Sequence, residues 1–311
     1  MIDRFGRTIN YLRLSVTEKC QLHCDYCRSS EECPNSKELT VEEILQLSRV
    51  CVNLGFNKIR LTGGEPLMRR DIIEIAESIG KLENLRELTM TTNGQKLSQC
   101  AKELYRAGIH RINISLDSLN ADRYRSMTGG DINKVFSAIE EAKRAGMKPI
   151  KINAVLLRGI NDSEVKDFLR FSREYGVIVR FIELMPLGRL LDKPEMRITM
   201  KEILKENPEL MPGKETGEPA REFYFSGSTK AGIIAPMSEP FCGSCNRIRI
   251  LSDGTLKPCL GCDDEIPLSE FIGVDDKILS ERIEKAVFNK PMGYTMRDCE
   301  KPLRDMSRIG G

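Results

Sequence analysis

The stretch Tyr11-Leu12-Arg13-Leu14-Ser15-Val16, followed three residues later by Cys20-Gln21-Leu22-His23-Cys24-Asp25-Tyr26-Cys27, decides how the chain is read. The first six residues suit a short strand, and the cysteines follow at its end. Thiolates are the usual ligands of iron–sulfur clusters. Gaps of three and two residues let one loop deliver Cys20, Cys24 and Cys27 to a single cubane. A cubane has four irons, so three thiolates leave one iron open to a substrate or cofactor. The competing reading is a zinc loop or three buried thiols, which a bare C-x-x-C often signifies. Three cysteines at this spacing on a strand end are rarer, and they favour the cluster.

Outward from this loop, one unit recurs from about residue 11 to 185: short apolar run, loop, amphipathic helix. Strand candidates are Leu12–Val16, Lys58–Leu61, Glu87–Thr91, Arg111–Ile114, Ile150–Leu156 and Val179–Ile182. Thr40-Val41-Glu42-Glu43 is a capping box, followed by Ile44, Leu45, Leu47 and Val50 at helical spacing. Asp71 opens a second helix, and Gly55, Gly108, Gly146 and Gly176 suit left-handed helix ends. Alternating strands and helices imply a parallel sheet with right-handed crossovers, either open or a partial (βα) barrel. In both, chemistry gathers at the strand C-termini. The polar and glycine-rich pieces fall there: Cys20–Cys27, Thr62–Pro66, Thr91–Gly94, Ser115–Asp117 and Glu183–Pro186.

After about residue 186 prolines and glycines punctuate the pattern, which reads as a smaller, irregular second region. It carries Cys242-Gly243-Ser244-Cys245, then Cys259 and Cys262. Two C-x-x-C pairs at this separation also describe a four-cysteine zinc ribbon, and spacing alone leaves zinc and iron–sulfur open. Asn246-Arg247-Ile248-Arg249 follows the first pair. Arginines flanking one apolar residue face the same way on a strand, toward whatever the cysteines hold.

Eleven cysteines, an odd count clustered at short gaps in a 311-residue chain, fit thiolate–metal chemistry in a reducing cytosol better than a disulfide framework. A net charge of +2 gives no field pointing to nucleic acid or membrane. Charges interrupt every early apolar stretch, so no signal peptide is expected, and no run approaches the ~20 apolar residues of a membrane span. A cytoplasmic protein is expected. His23 and His110 are the only histidines, which disfavours histidine-based acid–base catalysis.

Taken together, these pieces resemble the GTP 3′,8-cyclase family of molybdenum-cofactor biosynthesis, within the radical S-adenosylmethionine (SAM) superfamily. The resemblance rests on Leu12–Thr17, the first cysteine loop, the Lys58–Asp71 stretch containing Thr62-Gly63-Gly64-Glu65-Pro66, Thr91–Gly94, Ser115–Leu119, Phe181–Pro186, Phe241–Arg249 and the closing Gly310-Gly311. It implies an α/β fold, an incomplete (βα)6 TIM-like barrel over residues 1–188. Residues 189–311 would cover its open side and carry a second cluster and the diglycine tail. It implies two 4Fe–4S clusters, the first on Cys20, Cys24 and Cys27 and the second on Cys242, Cys245 and Cys259. SAM would be held by Tyr26, Gly63, Gly64, Glu65, Ser115 and Met185. GTP would meet Arg13, Lys58, Arg60, Thr91, Lys151, Arg247, Ile248 and Arg249. Arg13, Arg247, Arg249, Gly310 and Gly311 are expected to act in the chemistry. By the same resemblance, reductive SAM cleavage would give a 5′-deoxyadenosyl radical that takes the ribose C-3′ hydrogen of GTP, and the sugar radical would close onto guanine C-8. An external electron donor, the next enzyme of molybdopterin synthesis and a homodimer complete the implied partners, with no nucleic acid and no membrane.

Arginine suits a triphosphate because its fork donates two parallel charge-assisted hydrogen bonds. Arg13 and Arg60 interrupt apolar strands at what read as their functional ends, where an unpaired charge is costly. Two departures from the family stand out. Arg28-Ser29-Ser30 replaces the usual Met-Pro, within a loop that also holds Cys33 and Pro34. Cys262 offers a fourth thiolate to the second metal. Cys33, Cys51, Cys100 and Cys299 read as structural or incidental thiols. The rivals are a radical SAM enzyme acting on another substrate such as a peptide, and a zinc-stabilised binding protein on a βα scaffold.

Overall fold

The structure, a computed structural model, describes residues 1–27, 37–186, 190, 193–215, 217–227, 229–293 and 306–310. Six parallel strands lie side by side in chain order: β1 (Tyr11–Ser15), β2 (Lys58–Thr62), β3 (Glu87–Thr92), β4 (Ile109–Ser115), β5 (Ile150–Leu156) and β6 (Ile178–Glu183). Their crossovers carry α1 (Val41–Asn53), α2 (Ile72–Gly80), α3 (Ala101–Arg106), α4 (Ala121–Thr128), α5 (Ile132–Arg144) and α6 (Val165–Tyr175). The capping box closes from both sides: Thr40 N–H donates to Glu43 Oε2 at 2.7 Å, and Glu43 N–H to Thr40 Oγ1 at 3.3 Å. Gly55, Gly108, Gly146 and Gly176 all take positive φ. Asp71 sits at the N-cap of α2 without a capping bond, because Arg69 holds its carboxylate at 2.6 and 3.0 Å.

The rest of the chain adds α7 (Met200–Glu206), β7 (Met211–Pro212), β8 (Ala220–Phe225), β9 (Thr229–Ile234), β10 (Arg247–Ile250), β11 (Thr255–Lys257), β12 (Ile266–Pro267), α8 (Asp276–Phe288) and α9 (Met306–Ile309). Its strands join the same sheet at both flanks. β9 runs parallel beside β6, with β8 and β7 beyond it. β10 runs parallel beside β1, with β11 and β12 beyond it. The order β12-β11-β10-β1-β2-β3-β4-β5-β6-β9-β8-β7 leaves two free ends, so the barrel is incomplete. The later strands extend it on its open side. Their core is shared: Phe223, Ile250 and Leu279 belong to the same buried cluster as Leu12 and Ile59.

The two faces of the parallel strands differ. Residues turned toward the helices, such as Leu12, Leu14, Ile59, Leu61, Ile112 and Phe181, are fully buried. Burial of each such side chain stabilises the fold by ~1.5–3 kcal/mol. A complete barrel would fill its inside with branched apolar side chains. Here arginine, lysine, threonine and asparagine predominate at the inward positions, and they line a cavity of about 600 Å³. Among the described residues no helix is long and apolar enough to cross a membrane.

Candidate active site

The first cysteine loop leaves β1 and is braced by the turn after β2. Val16 N–H donates to Thr62 O at 3.0 Å, Gly64 N–H to Thr17 O at 2.8 Å and Glu65 N–H to Lys19 O at 2.8 Å. The glycines make this approach possible. A Cβ on Gly63, whose φ is +144°, would lie 2.3 Å from Thr17 O, and one on Gly64 would lie 2.5 Å from Glu18 O. The family resemblance gives Gly63 and Gly64 to SAM; their closeness to main chain also sets the segment that launches Cys20. Cys20, Cys24 and Cys27 all reach the cavity. Burial pushes the Cys24 thiol well up, and Asp117, Cys27 and Cys20 push it further, as expected of grouped sulfurs.

Glu65 borders the cavity, but its carboxylate is already engaged. It accepts from Leu67 N–H at 3.0 Å, Thr92 Oγ1 at 2.7 Å and Asn93 N–H at 2.6 Å. Burial nonetheless pushes its carboxyl up to about 7. Tyr26 donates its hydroxyl to Asp117 at 2.7 Å, and Asp117 also accepts from Val155 N–H at 2.9 Å. Ser115 and Met185 line the same end. Glu183, also polar at a strand end, is turned to scaffolding: it accepts from Met200, Met237 and Ser238 N–H at 2.9–3.0 Å.

Across the middle runs a row of cations. Arg13 is in register with Arg249 on β10 and with Arg60 on β2. These arginines lie mid-strand on the inner face, not at the strand ends as expected. Burial pushes the Arg13 guanidinium well below its ordinary value, and Arg249, Arg60 and Arg247 add to the shift. Arg249 is pushed down to about 10 by burial and then by Arg247. Arg60 donates to Thr89 Oγ1 at 3.1 Å and lies 5.7 Å over the Tyr11 ring. Lys58, Thr91 and Lys151 also face the cavity. Among the described residues Thr91 Oγ1 and Asn113 Nδ2 are buried without a hydrogen-bond partner, which suits a polar occupant. Ile248 is not brought in: its side chain is 1% exposed and packs in the core on the opposite face. Arg180 was missed, although it is cavity-lining and holds Asn153 Oδ1 at 2.6 and 2.9 Å.

The second cysteine set lies at the N-terminal end of the strands, since Asn10 and Tyr11 N–H both donate to Asn246 O. The two sets are thus separated by roughly the length of β1, ~16 Å at 3.3 Å per residue. Cys242, Cys245 and Cys259 line the cavity and Cys262 does not. The Cys262 thiol hydrogen-bonds Cys259 and holds it well below the usual thiol range, with Lys290 and Arg249 assisting against burial. Burial works to raise Cys245, and Arg247 and Lys290 overcome it. Among the described residues no three Cys, His, Asp or Glu side chains converge to hold a single metal ion.

Residues 306–310 enter between the two ends. Met306 N–H donates to Cys27 O at 3.0 Å, and Arg308 Nε lies 3.5 Å from Glu18 Oε1. Arg249 Nη1 donates to Gly310 O. Gly310 has φ +77°, and a Cβ there would lie 2.4 Å from Thr62 Oγ1. Gly311, Arg28, Ser29, Ser30, Cys33, Pro34 and Cys299 lie outside the described residues.

A partial barrel with a cysteine triad at its strand C-termini defines a class, and comparison with known proteins agrees. Residues 14–172 match the family model described as Radical SAM superfamily, and residues 177–296 match Molybdenum Cofactor Synthesis C. A protein of Clostridium botulinum named GTP 3′,8-cyclase is 43% identical over 321 aligned residues, covering 100% of both chains. One of the same name from Thermodesulfovibrio yellowstonii is 42% identical, again over 100% of both. The chain belongs to the radical SAM superfamily and, within it, to the GTP 3′,8-cyclase family. Solved structures share the fold at low identity. Histidine-tagged anSMEcpe with bound AdoMet has a TM-score of 0.63 at 19% identity, over 91% of this chain and 80% of that one. Streptococcus suis SuiB bound to precursor peptide SuiA has 0.64 at 14%, over 94% and 67%.

Proposed function

We propose that this protein converts GTP to (8S)-3′,8-cyclo-7,8-dihydroguanosine 5′-triphosphate, the first step of molybdopterin biosynthesis. One observation carries the reading: two cysteine triads face one cavity from opposite ends, with Arg249, Arg13 and Arg60 in a row between them. Cys20, Cys24 and Cys27 hold one 4Fe–4S cluster, and Cys242, Cys245 and Cys259 hold another. Bound at the first triad, cluster and SAM supply a carbon radical able to remove a substrate hydrogen. The protein's own residues bind, orient and exclude water. Tyr26, Gly63, Gly64, Ser115 and Met185 border SAM, while Glu65 shapes that wall through its carboxylate, which ties Leu67, Thr92 and Asn93 together. Arg13, Lys58, Arg60, Thr91, Lys151, Arg247 and Arg249 receive GTP, the arginines by bidentate contact with phosphate or base. Gly310 reaches in beside Arg249, and Gly311 is assigned to the chemistry with it.

Residues 1–188 serve as the SAM barrel and 189–311 as the substrate-cluster region. The enzyme works in the cytoplasm as a homodimer, draws on an external electron donor and passes its product to the next enzyme of the route. The test is anaerobic incubation with SAM, dithionite and GTP. Formation of 5′-deoxyadenosine together with cyclised GTP is expected. SAM cleavage with no cyclised nucleotide would assign the site to another substrate. Colourless, zinc-loaded protein would remove the enzyme reading altogether.

A further inference from the structure

We propose that Asp3, Arg7 and Lys290 form a positioning relay that fixes the second cysteine triad. Arg7 is nearly buried, its side chain 6% exposed, and it borders the cavity. Its Nε donates to Asp3 Oδ2 at 2.6 Å, while Asp3 Oδ1 accepts from Phe5 N–H at 3.0 Å and Arg7 N–H at 2.9 Å. The guanidinium is thereby locked and directs its remaining donors to carbonyls. Nη1 reaches Cys242 O at 2.7 Å and Met292 O at 2.9 Å, and Nη2 reaches Pro291 O at 2.7 Å. The segment it grips begins with Lys290, which is 2% exposed and donates from Nζ to Pro258 O at 2.6 Å.

One chain of contacts therefore runs from the N-terminal turn to Cys242 and onward to the residue before Cys259. The segment also packs against the ligand itself: a Cβ on Gly293 would lie 3.7 Å from Cys242 Sγ. Neither ligand cysteine is held by regular secondary structure. Cys242 starts a single 3₁₀ turn and Cys259 follows the end of β11. These two buried cations bridge the segments that carry them. Buried cations beside thiolates also complement negative charge that the cysteines carry when they ligate metal.

The relay rests on the reading that Cys242, Cys245 and Cys259 hold an iron–sulfur cluster, and the experiment separates the two. Wild-type, Arg7→Lys, Arg7→Ala and Lys290→Met proteins are purified anaerobically, and iron, sulfide, electron paramagnetic resonance and far-ultraviolet circular dichroism are recorded. Lysine keeps the charge but lacks the fork, so Arg7→Lys tests geometry. Wild type carries about eight irons, and each variant drops toward about four while the first cluster's signal and SAM cleavage persist. Variants that keep the full complement and an unchanged second-cluster signal overturn the relay. So does parallel loss of both clusters and folded ellipticity, which marks a general scaffold role. Wild type with only about four irons overturns the second-cluster reading itself.

Discussion

A single carboxylate, Glu65, gathers the N–H of Leu67, the hydroxyl of Thr92 and the N–H of Asn93, joining the ends of β2 and β3 beneath the first cysteine triad. Burial raises its pKa from the ordinary 4.5 to about 7, so the folded state binds more protons than the unfolded state between those values. Its linkage contribution is full below the lower value and lost as pH rises through the upper one. Glu65→Gln cannot titrate. The stability margin of wild type over Glu65→Gln therefore shrinks between pH 5 and pH 7, read as the difference in anaerobic melting temperature at a fixed scan rate. A margin that widens over that interval refutes the assignment. Arg249 gives a second test at this scale. It donates to Gly310 O and stands beside Arg13. Arg249→Ala is expected to reduce cyclised product at least tenfold while SAM cleavage continues. Unchanged cyclase turnover would take Arg249 out of the site. The cysteines were legible because their spacing is local. Asp3, Arg7 and Lys290 were not, because their roles depend on partners as far as 285 positions away.

Among the elements, the β2 turn and the segment 306–310 both depend on glycine, for different obstacles. At Gly63 the obstacle is main chain, Thr17 O at 2.3 Å from a Cβ, on a backbone with φ +144°. Gly63→Ala must displace the loop that launches Cys20. Loss of roughly half the iron, with the second cluster's resonance retained, is the expected result. At Gly310 the nearest atom is the side-chain hydroxyl Thr62 Oγ1 at 2.4 Å. Gly310→Ala is expected to expel the segment and leave it open to limited proteolysis while both clusters load normally. The strand–helix alternation was readable from periodicity, and each of the six strand candidates falls within two residues of an observed strand. The return of β9 and β10 to opposite flanks of the sheet was not readable. Neither four- to six-residue run carries any mark of which distant strand it will pair with.

For the whole molecule, the inner face sets arginine against arginine, and fold stability is linked to whatever anion enters. A ligand that binds only the folded state adds RT ln(1 + [L]/Kd), about 2.7 kcal/mol at a hundredfold excess over Kd. GTP or inorganic triphosphate is expected to raise the melting temperature by several degrees. The rise should weaken between 50 and 300 mM salt and be largely lost in Arg13→Met. A salt-independent shift preserved in Arg13→Met would place the anion elsewhere.

The seating of β1 between β2 and β10 has a consequence for biogenesis. A nascent chain leaving the ribosome can pair β1 with β2 early, but the other neighbour, Arg247–Ile250, is translated more than two hundred residues later. Until then β1 lacks its partner on one edge, and Arg13 lacks Arg249 beside it. The strand that launches Cys20, Cys24 and Cys27 therefore gains its second neighbour only when nearly four-fifths of the chain has been made.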